Sequence, residues 1–269
     1  MGRPFATHDC IPFVLPWRRE NSGGFSLGLE ATGYFETAAL CEISKFPQKV
    51  LKKNWPEVPI YEDVTKLNAD TLRRDGIGSI DVITGGFPCQ DISTAGKQAG
   101  IKSGTRSGLW SEIDRLVGEL RPKLVIVENV ANLLAGPSER PGAWFGRVLG
   151  DLAERGYDAE WENIPASALG ASHRRERVWV VAYSQGLDGK PICPILGREV
   201  TLGVRSWWVP EPDVGRVANG VPDGAHRLKG LGNAVVPYIP EFIGHRIARA
   251  LGLAANDNEP TIAAQAQSA

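Results

Sequence analysis

One cysteine of this chain stands where it could act as a nucleophile. Cys89 lies in Gly85-Gly86-Phe87-Pro88-Cys89-Gln90, directly after the apolar run Ile80-Asp81-Val82-Ile83-Thr84. That run reads as a buried strand ending in glycines. Open α/β sheets place their ligands at the carboxyl ends of strands. Pro88 fixes its own backbone angle and biases Phe87 towards an extended one, so Cys89 is presented on a stiffened loop. A lone cysteine at a strand end is more often simple packing, but other reactive groups close other expected strands. Glu128 follows Leu124-Val125-Ile126-Val127 and is a candidate general acid, with helix capping as the plainer alternative. Arg174, Arg175 and Arg177 precede the apolar stretch from Val178 and could clamp a phosphate or a base edge, or form a solvated turn. Glu42 and Asp63 end two further short strands after the turn Gly23-Gly24-Phe25. A glycine turn followed by an acid at a strand end suits a nucleoside cofactor, since the backbone can come close and the carboxylate can accept from ribose hydroxyls.

Positioning these groups requires alternating strands and helices. The spacing predicts a helix opening at Gly23, a strand over Phe35–Cys41, a helix around Lys45–Asn54 and a strand near Val58–Tyr61. A helix over Leu109–Leu120, the strand from Leu124, a helix over Trp144–Arg155 and a strand over Tyr157–Asn163 follow. Residues 94–108, rich in Gly, Ser, Thr, Lys and Arg, read as a connection able to close over a substrate. Residues 184–225 lose periodicity and contain Trp207-Trp208, a pair suited to base stacking or to a small core of the insert. A final helix is expected from Ile239 and a disordered tail from Ala254.

Composition narrows the class. The 269 residues are 42% hydrophobic, enough for one large α/β core. A formal net charge of −1 gives no global attraction to nucleic acid, so such a partner must meet a local basic face. Cys10, Cys41, Cys89 and Cys193 are scattered, which fits neither a zinc site nor a disulfide framework. No metal is expected. With no apolar run long enough for a membrane, the chain reads as a cytoplasmic protein.

With these pieces in order, the sequence resembles the DNA (cytosine-5)-methyltransferase family from Gly23 to about Gly252. The likeness rests on Ser-Gly-Gly-Phe, Glu42, Asp63, Gly-Gly-Phe-Pro-Cys-Gln, Glu-Asn-Val, Arg-x-Arg before a strand, and Gly-Asn-Ala-Val. It implies a Rossmann-like S-adenosylmethionine-dependent sheet with helices on both faces and a small irregular target-recognition insert. The implied divisions are an atypical segment 1–22, a catalytic and cofactor-binding domain 23–183, the insert 184–225, a return 226–252 and the tail 253–269. By resemblance Cys89 is the nucleophile, Glu128 the carboxyl contacting the cytosine ring, and Arg175 and Arg177 the arginines that hold the base and nearby loop. Gly23, Gly24, Phe25, Glu42, Asp63, Pro88, Asn233 and Val235 would hold S-adenosyl-L-methionine. Gln90, Ser93, Arg174, Arg205 and Arg227 would meet double-stranded DNA, with the target base flipped out. A phage-like short form, a monomer and a cognate restriction endonuclease as partner also belong to this expectation. A catalytically impaired, DNA-binding relative with a damaged cofactor site is the alternative.

The chain departs from the family pattern at its start. Arg19 stands where an aromatic residue belongs, Asn21 where the first glycine of the turn belongs, and Ser44 where a second acid often follows Glu42; His173 replaces a glutamine. The expectation is that residues 1–21 derive from a shifted reading frame or a miscalled start, with the first strand missing or replaced, although Ile11–Leu15 could form a short strand. Occupation of the sheet position beside the glycine turn by residues 10–16 would overturn it.

Overall fold

The computed structural model of the protein describes residues 23–87, 109–136, 141–171, 173–184, 195–196 and 234–253, together with the main chain of 11–16. In chain order the elements are β1 (Ile11–Pro16), α1 (Gly24–Ala31), β2 (Phe35–Cys41), α2 (Lys45–Asn54), β3 (Ile60–Tyr61), α3 (Ala69–Arg74) and β4 (Val82–Gly86). Then come α4 (Trp110–Leu120), β5 (Leu124–Val130), α5 (Asn132–Ala135), α6 (Ala143–Glu154), β6 (Tyr157–Pro165), β7 (Glu176–Ser184) and α7 (Tyr238–Ala250). A single 3₁₀ turn, Ala166–Leu169, links β6 to the arginine-bearing loop.

The strands form one seven-stranded sheet in the order β3-β2-β1-β4-β5-β7-β6. β1 to β5 are mutually parallel where they pair, and β7 runs antiparallel to both β5 and β6. From β1 the chain moves outward through β2 to β3, then returns to the other side of β1 as β4. The crevice at the carboxyl ends of β1 and β4 is therefore the topological switch point, where such sheets bind ligands.

Ile11–Pro16 thus occupies the centre of the sheet, between β2 and β4, which overturns the expectation of a missing first strand. The strand is irregular all the same. Pro12 brings no N–H to the ladder, the pairing with β2 shifts between Phe13 and Val14, and the pairing with β4 covers only those two residues. As the sequence reading expected, the strand before Pro88-Cys89 ends in glycines: β4 starts at Val82, and Gly85 and Gly86 are its last residues, opposite Val127 and Glu128 of β5.

Alternation along the strands divides the core into two layers, as period-two geometry requires. One layer joins Ala39, Ile83, Val125, Val127, Val178 and Val180 to apolar residues of α3, α4 and α6. The other joins Leu40, Val82, Leu124, Ile126, Trp179 and Val181 to Phe25 and Leu29 of α1, Leu51 of α2, and Ile239, Ile243 and Ile247 of α7. Helices cover both faces, as expected of this fold. α4 is helical for a plain reason: Trp110, Ile113, Leu116 and Val117 fall on one stripe and are all buried.

α1 and α7 approach unusually closely. A Cβ on Gly28 would lie 2.1 Å from the Pro237 carbonyl oxygen, and one on Gly244 would lie 3.0 Å from side-chain atoms of both Leu29 and Thr32. The glycines bring the two helices together and seat the returning end of the chain on the glycine turn.

Candidate active site

The acids of the expected cofactor side stand at the carboxyl ends of β2 and β3. Glu42 is wholly buried. Its Oε1 accepts from the Ser44 N–H at 2.6 Å and its own N–H donates to the Tyr61 carbonyl at 2.9 Å. Asp63 is half-buried and accepts from both the Thr65 N–H, at 3.0 Å, and the Thr65 hydroxyl, at 2.7 Å. The hydroxyl bond is the leading reason its carboxyl sits below the ordinary carboxylate range. Beside them, burial pushes the Cys41 thiol up to about 12, with the charges of Glu42 and Asp63 adding to the effect. That cysteine is inert packing.

The glycine turn is shaped by protein neighbours. Gly23 has φ +72°, and a Cβ there would lie 2.3 Å from the Trp55 ring. A Cβ on Gly24 would lie 2.4 Å from the Val235 carbonyl oxygen, so Gly24 and Val235 are brought together from opposite ends of the chain. Trp55 is held in turn by Glu30, whose carboxylate accepts its indole N–H at 2.9 Å and the Thr37 N–H at 3.1 Å. Phe25 is fully buried and packs edge-on against Trp179, with ring centroids 5.4 Å apart. Glu30 and Trp55 were invisible as partners in the sequence because no local spacing links them.

On the expected substrate side, Glu128 lies near the carboxyl end of β5, 3% exposed, opposite Gly86 of β4 and Trp179 of β7. Arg177 brings its Nε to 3.0 Å from Glu128 Oε1. The contact is an ion pair by distance, without an N–H aligned on the carboxylate. The three arginines of the loop diverge. Arg174 is exposed and pairs with Glu176 at 3.0 Å. Arg175 adopts φ +29°, uncommon for a side chain with a Cβ, and its guanidinium donates to the Ala234 carbonyl. Arg177 is the one that pairs with Glu128 at 3.0 Å.

Asn129 was not singled out from the sequence. It is fully buried, donates to the Phe87 carbonyl at 3.3 Å and accepts from the Val130 N–H at 2.8 Å. It therefore ties the end of β5 to the residue just before Pro88-Cys89. A buried asparagine must find partners, and its place beside Glu128 was the available signal. Cys89, Pro88, Gln90, Ser93, Arg205, Arg227 and Asn233 lie outside the described residues, as do the loop 94–108, Trp207-Trp208 and the tail. Among the described residues there is no cluster of His, Cys, Asp and Glu able to hold a metal, and no helix long and apolar enough to cross a membrane.

Chemically, the donor set at the ends of β2 and β3 suits a nucleoside. Two carboxylates on adjacent strands can accept from a ribose diol and an exocyclic amine, and the close-packed glycine turn beside Val235 leaves main chain rather than side chains facing the switch point.

These features agree with comparisons to known proteins. The family model described as C-5 cytosine-specific DNA methylase matches residues 21–206. Type II methyltransferase M1.ScrFI of Lactococcus lactis subsp. cremoris is 34% identical over 182 residues, covering 68% of this chain and 44% of that protein. Type II methyltransferase M.HhaI of Haemophilus parahaemolyticus is 33% identical over 166 residues, covering 62% of this chain and 47% of that protein. The chain thus spans under half the length of these curated relatives. A solved structure described as a DNA modification methyltransferase encoded within a prophage (E. coli) superposes with TM-score 0.54 at 25% identity, covering 66% of this chain and 48% of that one. The Dnmt2 methyltransferase of S. pombe, at 14% identity and TM-score 0.51, shares the fold over 65% of this chain and 50% of its own. With the family model matched over residues 21–206, more than half of the chain, the chain belongs to the C-5 cytosine-specific DNA methylase family.

Proposed function

We propose that this protein transfers a methyl group from S-adenosyl-L-methionine to carbon 5 of a flipped-out cytosine in double-stranded DNA. The observation that supports the reading is the buried Glu128, paired with the half-buried Arg177 near the carboxyl end of β5, directly beside β4, which runs into Phe87-Pro88-Cys89. Carbon 5 of cytosine is a weak nucleophile. Addition of the Cys89 thiolate to carbon 6 breaks the 5,6 double bond, and its electron pair becomes available at carbon 5. Glu128, set by Arg177, would meet N3 and the exocyclic amine, where negative charge develops as the thiolate adds. The cofactor supplies an electrophilic methyl group on a sulfonium, held by Glu42, Asp63 and the turn Gly23-Gly24 with Val235. Loss of the proton from carbon 5 and departure of the thiolate restore the ring and free Cys89. Gln90, Ser93, Arg174, Arg205 and Arg227 would contact the DNA; Asn233 and Pro88 would complete the cofactor pocket. A monomeric cytoplasmic enzyme working beside a cognate restriction endonuclease fits this role.

The test is bisulfite sequencing of DNA from a methylation-free bacterial host expressing the chain, beside a Cys89→Ala control. Methylated cytosines in one short context, absent from the control, support the reading and give the target sequence. Unmethylated DNA from soluble protein overturns it.

A second reading, a DNA-binding relative without turnover, draws on β1. That strand carries two prolines in six residues and pairs with β4 at two positions only, and the family match begins after it, at residue 21. Calorimetry with S-adenosyl-L-methionine separates the two: measurable affinity sinks the second reading.

A further inference from the structure

Glu30 stands in the last turn of α1, where a carboxylate opposes the helix dipole. The helix itself gives no reason for an acid there; its partners do. Oε2 accepts the Trp55 indole N–H at 2.9 Å, and Oε1 accepts the Thr37 N–H at 3.1 Å and the Thr37 hydroxyl. Trp55 closes α2, Thr37 lies in β2, and both are buried. One half-buried carboxylate thereby joins a helix, a strand and the end of a second helix.

Trp55 passes this constraint to the glycine turn. Gly23 is the N-cap of α1, at φ +72°, and its carbonyl accepts the Leu27 N–H at 2.8 Å. A Cβ on Gly23 would lie 2.3 Å from the Trp55 ring and 3.3 Å from the Leu51 side chain. The ring therefore fills the space that a side chain would take and forms the floor of the turn. α1 begins on the indole and ends on the carboxylate that holds the indole. Thr37 extends the hold to β2, the strand that runs into Glu42. Hydrogen bonds to a carboxylate are stronger than neutral ones, and a buried donor left without its acceptor costs more than the bond's net worth. Without Glu30 the indole must shift to find a partner, and the floor shifts with it.

We propose that Glu30 is a positioning residue for S-adenosyl-L-methionine, clamping the Trp55 indole under Gly23 and tying that turn to the strand that carries Glu42. The inference rests on the methyltransferase reading for the role of the turn; the clamp itself is a set of contacts independent of turnover. Glu30 acts through Trp55. Its effect falls on the cofactor rather than on DNA, because β1 and β4 separate β2 from β5, which bears Glu128.

The experiment compares the full chain with Glu30→Ala, Trp55→Phe and the double variant. The readouts are calorimetry with S-adenosyl-L-methionine, duplex binding, and NMR exchange of the indole N–H that is missing in Trp55→Phe. In Glu30→Ala that N–H exchanges faster and the cofactor Kd rises roughly tenfold, while duplex affinity stays within about twofold. In the Trp55→Phe background, where the donor is gone, Glu30→Ala weakens the cofactor by less than it does in the wild type. A merely structural role would instead lower cofactor and duplex affinity together, with additive losses. If Glu30→Ala does not fold, Glu30→Gln takes its place, with the same changes at smaller size because an amide offers one acceptor oxygen. Unchanged indole exchange overturns the clamp. Unchanged cofactor affinity in the variant, beside a wild type that binds, overturns its consequence, and additivity overturns the route through Trp55. A wild type that binds no cofactor brings down the methyltransferase reading and this consequence together, and indole exchange then judges the clamp by itself.

Discussion

β5 and β1 are both interior strands of one sheet, yet they are built on opposite terms. β5 pairs with β7 at seven successive positions and with β4 at five, and it is apolar from Leu124 to Val127. β1 has prolines at two of six positions, shifts register against β2 after Phe13 and touches β4 at two residues. Glu128 therefore rides on a rigid strand whose geometry is set by a continuous ladder. The glycine turn after β1 takes its shape from elsewhere: from Trp55 beneath Gly23, from Val235 against Gly24, and from α7. The region around Glu128 is fixed by the sheet, and the region around the glycine turn by packing of helices across it.

Removing the ion partner on the rigid side should have the largest effect. Arg177→Leu leaves Glu128 buried without its cation and should cost about 3–5 kcal/mol, read from urea unfolding. The double variant Glu128→Gln with Arg177→Leu should recover most of that loss; no recovery would mean that the pair does not hold this strand end. Glu128→Gln alone should lower kcat by roughly 10²–10³-fold with DNA affinity retained, as for loss of one charge-stabilising group. On the helix-packed side, Gly24→Ala drives a methyl group to 2.4 Å from the Val235 carbonyl oxygen. It should destabilise by about 1–3 kcal/mol and weaken cofactor binding in calorimetry, while duplex binding persists. A variant in which both binding functions fall equally would erase the distinction between the halves. Pro12→Val restores an N–H to the central strand and should stabilise by about 1 kcal/mol; a loss instead would show that β1 depends on its irregular pairing. The smallest effect concerns Asp63. Its carboxyl is lowered in the folded protein by the Thr65 hydroxyl, so its stabilisation is full above the ordinary carboxylate range and lost as pH falls through the folded value. Asp63→Asn should flatten the acid limb of the stability profile by slightly lowering stability at neutral pH, with little change in acid, where Asp63 is already protonated.

The same contrast decided what could be read from the amino acids. β5 and α4 were legible because an unbroken apolar run and a helical stripe state their burial directly. β1 was legible only as a candidate short strand over Ile11–Leu15, since two prolines argue against a central strand and its neighbours recruit it. α3, with Leu72 as its one buried residue, left no stripe to find. Strand-end acids were legible because the chemistry that needs them also fixes where they stand. The division of labour among Arg174, Arg175 and Arg177 was not, because it depends on Glu176, the Ala234 carbonyl and Glu128 respectively. Asn129 shows the limit clearly: its type is visible, but its partner at Phe87 belongs to another strand.

The glycine contact between α1 and α7 also has a consequence in time. During synthesis α1 emerges well before α7, and its Phe25 and Leu29 face a layer that Ile239, Ile243 and Ile247 of α7 complete. Joining segments so distant along the chain requires closing a long loop before any contact rewards it, which slows folding and leaves apolar surface open in the interim. The layer between α1 and α7 consequently closes only once α7 is made, and a nascent chain ending before α7 would present a bare apolar face to its surroundings.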